Sequence, residues 1–198
     1  MTTERIVKNI TRWATLSDAE IGFFTTRLTY RKVRRRQYFL QAGDICRHYT
    51  FVSEGCLRLF HVAEDGGEHI LQFAPEDYWV SDLSSFWEET PTSLYLEAME
   101  PSEIWQIAKS ELIATFVTHP GFDRIFRVMM ERAFIKLQQR VLQDISATAE
   151  EKYLAFVKSY PQLVNRLPQT QIASYIGITP EFLSKIRKHL SQTKPSKT

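Results

Sequence analysis

Residues 169–190, with the sequence QTQIASYIGITPEFLSKIRKHL, constrain the fold of this chain more than any other segment. Ile172, Ala173 and Ile176 recur at helical spacing on one face, and Gly177 follows them directly. Glycine adopts the left-handed backbone of a tight turn without steric cost, so Gly177 predicts the end of a helix and a sharp change of direction. We therefore expect two short helices joined by a tight turn.

The second of these helices is predicted to begin at Thr179. Threonine is a good N-cap, Pro180 suits the first helical position, and Glu181 in the first turn interacts favourably with the helix dipole. The apolar residues expected to pack it against the first helix are Leu183, Ile186 and Leu190.

The opposite face of the second helix is polar and basic. Its members follow the i, i+3, i+4, i+7 spacing of one helix face and are Glu181, Ser184, Lys185 and Lys188, with Arg187 on the flank. Lysine and arginine suit DNA phosphates, and serine, lysine and glutamate can also contact base edges. The pattern predicts a DNA-reading helix-turn-helix, whose interface would also include Gln169, Thr170 and Thr179. A helical hairpin with an ordinary solvated face is the alternative.

Charge is distributed unevenly along the chain, with the excess of basic residues in the C-terminal part. Residues 146–198 hold eight Lys or Arg and three Asp or Glu, a net charge of +5, whereas residues 1–145 hold 17 basic and 20 acidic residues, a net charge of −3. The whole-chain charge of +2 conceals this division. The cation excess coincides with the predicted helix-turn-helix, which favours double-stranded DNA as the partner.

The middle of the chain has a different pattern. Between residues 33 and 107, short aromatic and β-branched segments are separated by turn signals such as Glu54-Gly55 and Asp65-Gly66. Short, regularly spaced strands are typical of an antiparallel double-sheet β-roll of jelly-roll type. Helices are expected at 4–13 and 17–28, so the fold class is predicted to be α+β with flanking helices.

A long helix is predicted at 121–145 and carries two apolar groups. One is a continuous stripe that consists of Phe122, Phe126, Met130, Phe134, Leu137, Val141 and Ile145. The other lies on a different side, is assigned to dimerisation, and consists of Ile125, Val128, Ile135 and Leu142. Two apolar sides indicate two partners, the roll and the same helix of a second subunit. Burial of the helix within a monomer is the alternative.

The predicted organisation is therefore a sensor domain at 1–120, a dimerisation helix at 121–145 and a DNA-binding domain at 146–198. Cys46 and Cys56 are expected to be buried free thiols. The sequence has no HxH or CxxC spacing of the kind that binds a metal ion, so no metal or cofactor is expected. A cupin-like enzyme, which is also a β-roll, normally needs a compact His-x-His cluster. This chain has no such cluster, and no enzymatic activity is expected. No signal peptide or membrane helix is recognisable, and a cytoplasmic location is expected.

The order of β-roll, long helix and helix-turn-helix resembles the Crp/Fnr family of bacterial transcription regulators. The segment IASYIGITPEFLSKIRK at 172–188 carries the resemblance best, with support from the turns at Gly43-Asp44 and Glu54-Gly55. The resemblance implies a homodimer that binds two-fold related DNA half-sites and couples a small-molecule signal in the roll to the recognition helices. Separately, the densest basic run of the chain can contact flanking DNA or RNA polymerase, with a solvated strand edge as the alternative, and consists of Arg31, Lys32, Arg34, Arg35 and Arg36.

Cyclic-nucleotide-binding members of this family carry Gly-Glu followed by Arg-Ser, where the arginine neutralises the cyclic phosphate. This chain has Ser81-Asp82 and Thr92-Ser93 at those places, and residues 76–103 contain eight acids and no Lys, Arg or His. We therefore expect no cyclic AMP binding in the usual pose, unless Arg58 or Arg132 reaches the phosphate. The candidate effector pocket is Ser81, Asp82, Leu83, Ser84, Thr92 and Ser93. It suits a neutral or cationic ligand, and a solvated acidic loop is the alternative.

Only SQTKPSKT follows Leu190, which is too short for the β-wing that often accompanies this motif, so little or no wing is expected. Lys194 and Lys197 in this segment can add phosphate contacts. The function predicted is a DNA-binding transcription regulator with an unknown effector. The alternative is a small-molecule-sensing or protein-interaction module whose helix-turn-helix no longer reads DNA.

Overall fold

The computed structural model describes residues 2–193 of the chain, and its strands and helices follow one another from a short helical lead through a β-roll to a helical C-terminal part. The strands are β1 (Thr29–Val33), β2 (Tyr38–Leu40), β3 (His48–Glu54), β4 (Leu57–Val62), β5 (Glu68–Ala74), β6 (Trp79–Val80), β7 (Leu94–Ala98) and β8 (Ser102–Ala108). The helices are α1 (Glu4–Ile10), α2 (Asp18–Thr25), α3 (Leu83–Glu88), α4 (Lys109–Thr118), α5 (Pro120–Ser146), α6 (Ala149–Ser159), α7 (Gln169–Ile176) and α8 (Pro180–Thr193).

The strands form two antiparallel four-stranded sheets. The first has the order β1-β8-β3-β6 and the second the order β2-β7-β4-β5. The hairpin predicted at Asp65-Gly66 joins β4 to β5, which pair from Leu57 opposite Ala74 to Val62 opposite Glu68. The predicted α+β class with an antiparallel double-sheet roll is confirmed.

The main core lies between the two sheets and extends to helices at one end of the roll. Phe51 and Leu57 are fully buried between the sheets, and Phe24 of α2 stacks on Phe122 of α5 with ring centroids 5.0 Å apart. Aromatic pairs at such distances add to the stabilisation that burial alone provides. The start of α5 is thereby held against the roll.

A second core lies on the outer face of the second sheet, where the C-terminal helices pack. Phe60 and Phe73 of the sheet are buried there with Phe156 and Tyr160 of the C-terminal part. The second sheet is therefore covered on both faces, which explains why the segment CLRLFHV shows no alternation of apolar and polar residues. Residues on both sides of the boundary predicted at 145/146 contribute to this second core.

Helix boundaries depend on capping more than on apolar periodicity. The helices expected at 4–13 and 17–28 end earlier, at Ile10 and Thr25. Helix α6 begins at Ala149, because the side chain of Thr148 accepts a hydrogen bond from the backbone N–H of Glu151 in a capping box. Helices α3 and α4 were not predicted. Helix α5 agrees with its predicted range to within one residue at each end.

Gly55, in the turn between β3 and β4, shows why this turn requires glycine. Its φ is +90°, and a Cβ there would lie 2.2 Å from the Ser102 Oγ. Gly66 has a similar φ of +82°, with no atom within 4 Å of a Cβ.

Replacing Gly55 with alanine is expected to destabilise the roll more than replacing Gly66. Both substitutions incur left-handed backbone strain of about 1 kcal/mol, but only Gly55→Ala adds a steric clash with buried atoms. Urea denaturation of the two variants measures the difference. Equal losses of unfolding free energy would show that the Gly55 turn relaxes without cost.

Candidate nucleic-acid interface and effector pocket

The segment 169–190 forms the two helices that its sequence predicts. Helix α7 ends at Gly177, which adopts the left-handed conformation with φ 73° and ψ 38°. The Thr179 hydroxyl accepts a hydrogen bond from the backbone N–H of Phe182 at 3.2 Å and so caps α8. The predicted turn and cap are confirmed.

The inner faces of α7 and α8 pack against each other. Ile172, Ala173 and Leu183 are fully buried, and Ile186 is 6% exposed. Because Ala173 has no side chain beyond Cβ, the two helices can approach closely at this point. The packing holds α8 at a defined angle on α7.

The outer face of α8 is open to solvent. Glu181, Ser184, Lys185 and Lys188 are exposed, and Arg187 is half-buried. Gln169 and Thr170 at the start of α7, and Thr179 just before α8, are also exposed. Among the described residues, no ion pair engages a charged side chain of the α8 row. These cations are therefore available to an anionic partner, although their role in DNA binding stays a prediction.

Phe182 is a feature of this face that the sequence reading missed. Its side chain is 49% exposed on α8, between Glu181 and the buried Leu183. The available signal was an aromatic residue that falls outside the apolar stripe of α8. An exposed aromatic ring beside Lys185 can make apolar contact with a thymine methyl group.

Helix α7 is anchored on the second sheet by polar contacts. The Arg58 Nη1 donates to the Gln171 Oε1 at 2.7 Å, and the Ser174 hydroxyl donates to the backbone carbonyl of Glu68. Arg58 is 5% exposed and also pairs with Glu97 at 2.6 Å and with Glu68. The hydrogen bond from Arg58 holds the pKa of Glu68 below its usual value. This network connects the roll to the predicted DNA-reading unit.

Arg140 of α5 joins the long helix to the same interface. Its Nη2 donates to the backbone carbonyls of Ile70 on β5 at 2.9 Å and Tyr175 on α7 at 3.0 Å. Its guanidinium lies 4.0 Å from the centroid of the Tyr175 ring. Arg140 therefore links α5 to both the second sheet and α7.

The apolar residues of α5 are divided along the helix rather than around it. The first half packs on the roll, where Phe122 and Ile125 are fully buried and Val128 is half-buried. The second half exposes both predicted groups, with exposed fractions of 48% to 80%, at Phe134, Ile135, Leu137, Val141, Leu142 and Ile145. The assignment of Ile125 to the dimer face is wrong, because this side chain lies in the core of its own subunit.

The predicted effector pocket is closed by its own hydrogen bonds. Asp82 is 8% exposed and caps α3, where its Oδ1 accepts from the Ser84 N–H at 3.1 Å and the Ser85 N–H at 3.4 Å. Its Oδ2 accepts from the hydroxyl of buried Thr92. The Asp82 carboxylate thus occupies the helix N-terminus, the position at which backbone N–H groups commonly bind an anion.

The remaining pocket residues are split between the interior and the surface. Ser81 is buried, and its hydroxyl donates to the backbone carbonyl of His48 at 3.3 Å. Leu83, Ser84 and Ser93 are exposed. The structure therefore brings Ser81, Asp82 and Thr92 together but not all six residues around one cavity.

The two arginines considered as phosphate ligands are engaged elsewhere. Arg58 lies in the α7 interface described above, and the Arg132 guanidinium lies 4.4 Å from the centroid of the Trp13 ring. No described hydrogen bond or ion pair joins either residue to the Asp82–Thr92 pair.

Both cysteines are buried free thiols, as predicted, and burial raises the pKa of Cys56 to about 12. Within residues 2–193, no group of three His, Cys, Asp or Glu side chains is arranged to hold a metal ion. No helix in the same range combines the length and apolar character needed to cross a membrane. Lys194 and Lys197 lie outside the described residues.

Residues 30–119 match the family profile of the cyclic nucleotide-binding domain. Among solved structures, the c-di-GMP responsive global regulator CLP of Xanthomonas campestris aligns at 15% identity with a TM-score of 0.72, covering 89% of this chain and 92% of that chain. FixK2 from Bradyrhizobium japonicum aligns at 17% identity with a TM-score of 0.71, covering 83% and 85%.

A protein from Eubacterium rectale described as a Crp/Fnr-family transcriptional regulator aligns at 14% identity with a TM-score of 0.67, covering 89% of this chain and 84% of that chain. No curated protein matches the chain in sequence. Residues 30–119 are therefore similar to the cyclic nucleotide-binding domain, and the chain has the fold seen in these solved transcription regulators.

Proposed function

We propose that the protein is a homodimeric, DNA-binding transcription regulator of the Crp/Fnr type. The observation that carries the proposal is the outer face of α8, where Ser184, Lys185 and Lys188 lie exposed and unpaired on a capped helix that packs against α7. A helix presented in this way fits the major groove, with lysines placed for phosphates and base edges. Such a regulator acts in the cytoplasm.

The second half of α5 supports the homodimer. Six large apolar side chains are exposed there on about three helical turns, and soluble subunits rarely leave such a surface uncovered. Pairing with the same helix of a second subunit buries both stripes at once. It also links two recognition helices, as two-fold related half-sites require.

The effector of this regulator differs from a cyclic nucleotide in its charge. The Asp82 carboxylate already accepts the N–H groups at the start of α3, and Thr92 supplies a hydroxyl where a cyclic phosphate needs a guanidinium. A phosphate placed there would displace a satisfied carboxylate and meet its negative charge.

We expect no cyclic AMP or cyclic GMP binding at physiological concentrations. Loss of a charged hydrogen bond costs roughly 1.5 to 3 kcal/mol, so affinity should fall at least about tenfold to a hundredfold relative to a pocket with arginine. Calorimetry with each nucleotide measures this. Micromolar binding that disappears in an Arg58→Ala or Arg132→Ala variant would show that the phosphate is held from another side.

Selection from random double-stranded DNA at two salt concentrations tests the proposed function directly. A two-fold symmetric sequence should be enriched, and its affinity should fall steeply as salt rises, because lysine contacts release counterions from the phosphates. Enrichment of no sequence, with salt-insensitive retention, would favour the alternative of a sensing or protein-interaction module.

A further inference from the structure

An apolar cavity lies between the sensor roll and the start of the long helix. It has a volume of about 420 Å³ and is bounded by α3, α4, α5 and Tyr49 of β3. Its aromatic and aliphatic walls include Phe86, Trp87, Phe116 and Met130. This volume falls within the usual range of small-molecule sites, about 300 to 1,000 Å³.

The cavity is distinct from the predicted effector pocket. Of the six residues in that prediction, only Leu83 lines it, whereas Asp82 and Thr92 bond to each other on the capped side of α3. The cavity therefore stays open although the pocket at Asp82 is closed.

Tyr49 lines the cavity and carries a hydroxyl that has no hydrogen-bond partner among residues 2–193. Its side chain is only 6% exposed, and its ring stacks on Trp79 with centroids 5.0 Å apart. No hydrogen bond joins its hydroxyl to another of the described residues, and the hydroxyl is not among the polar atoms sealed in the core without a partner. The hydroxyl is therefore accessible from outside the core, and it can form a hydrogen bond with a ligand that enters the cavity.

Charged groups are confined to the rim. Asp123 and Arg127 on α5 are exposed, and Arg127 is paired with Glu131 at 2.9 Å. The interior thus offers apolar surface, aromatic faces and one hydroxyl, which excludes a polyanionic ligand and favours an uncharged aromatic one.

We propose that this cavity binds a small, uncharged aromatic molecule whose single polar group hydrogen-bonds to Tyr49. The ligand contacts α3 of the roll and Phe126 and Met130 of α5, so it stabilises the packing between the sensor and the long helix. The proposal concerns the sensor half alone and goes beyond the proposed DNA-binding function.

The test compares 2-naphthol with naphthalene by calorimetry on the full chain, without DNA. Wild-type protein is expected to bind 2-naphthol about three- to tenfold more tightly, since one neutral hydrogen bond contributes about that much. Tyr49→Phe should remove this preference and leave naphthalene binding unchanged. Because no DNA is present, failure here is separate from failure of the proposed function.

Filling the cavity provides the second arm. Leu83→Trp places a larger side chain at a half-exposed wall position, where folding tolerates it, and should reduce the binding of both compounds at least tenfold. Leu71→Trp, at a similarly exposed position on β5, is the matched control and should bind like wild type. Absence of binding by wild-type protein, or equal binding by Leu83→Trp and Leu71→Trp, would overturn the proposal.

Discussion

Replacing Lys185 and Lys188 together with alanine is expected to abolish sequence-specific DNA binding while the protein stays folded. Both side chains are exposed and unpaired, so their removal disturbs no internal contact. A lost phosphate contact lowers affinity for all sequences and reduces the salt slope by about one per subunit, and a lost base contact costs about 1 to 3 kcal/mol per half-site. Electrophoretic mobility shifts with the selected operator at several salt concentrations measure both effects.

The control for this experiment is Lys8→Ala, which removes the same charge from an exposed position on α1. It should bind DNA like the wild type, because α1 lies on the roll. Separate single variants distinguish the two roles, since a base-contacting lysine changes the preferred sequence whereas a phosphate-contacting lysine does not. Undiminished DNA binding by the double variant would contradict the assignment of the α8 face.

Introducing glutamate at both Ile135 and Leu142 is expected to give folded monomers that lose operator binding. These side chains are 50% and 64% exposed on α5, so the change leaves the core of the subunit intact. In a dimer, each would place a carboxylate in an apolar helix interface, next to its symmetry mate. Because linked half-site binding contributes about 10²- to 10⁴-fold, operator affinity should fall by at least about a hundredfold.

Light scattering and operator binding must be measured on the same preparation. Val117→Glu, at a 78%-exposed apolar position on α4, is the matched control and should remain dimeric. A wild-type protein that is monomeric at micromolar concentration, or a double variant that stays dimeric, would rule out α5 as the dimer interface. Val128, which the sequence also assigned to this face, is half-buried and is a poorer test position.

The α7–α8 pair is a part of the fold that can be predicted from the sequence alone. Its turn depends on a glycine, its second helix on a threonine cap, and its packing on apolar residues at helical spacing. These are interactions among residues a few positions apart, so they can be read from local sequence. Exposure of the α8 row follows from the same periodicity.

Helix α3 and the pocket around Asp82 show where local sequence is insufficient. The six residues of α3 are too few for a clear apolar period, and the helix depends on capping by Asp82. That carboxylate is held in turn by Thr92, ten positions away. The sequence places Thr92 where the arginine is expected, but it does not show that the Asp82 carboxylate accepts the backbone N–H groups at the start of α3.

The sequence by itself determined the fold class, the order of roll, long helix and α7–α8 pair, and the residues on the outer face of α8, because each depends on periodicity, turn chemistry or capping within a short segment. Only the tertiary structure decided that Ile125 faces the core of its own subunit, that Arg58 and Arg140 attach α7 to the roll, and that a cavity opens beside Tyr49. These features arise from contacts between residues that are tens of positions apart in the sequence. The geometry of such contacts depends on how whole helices and strands pack, and no local sequence pattern encodes it.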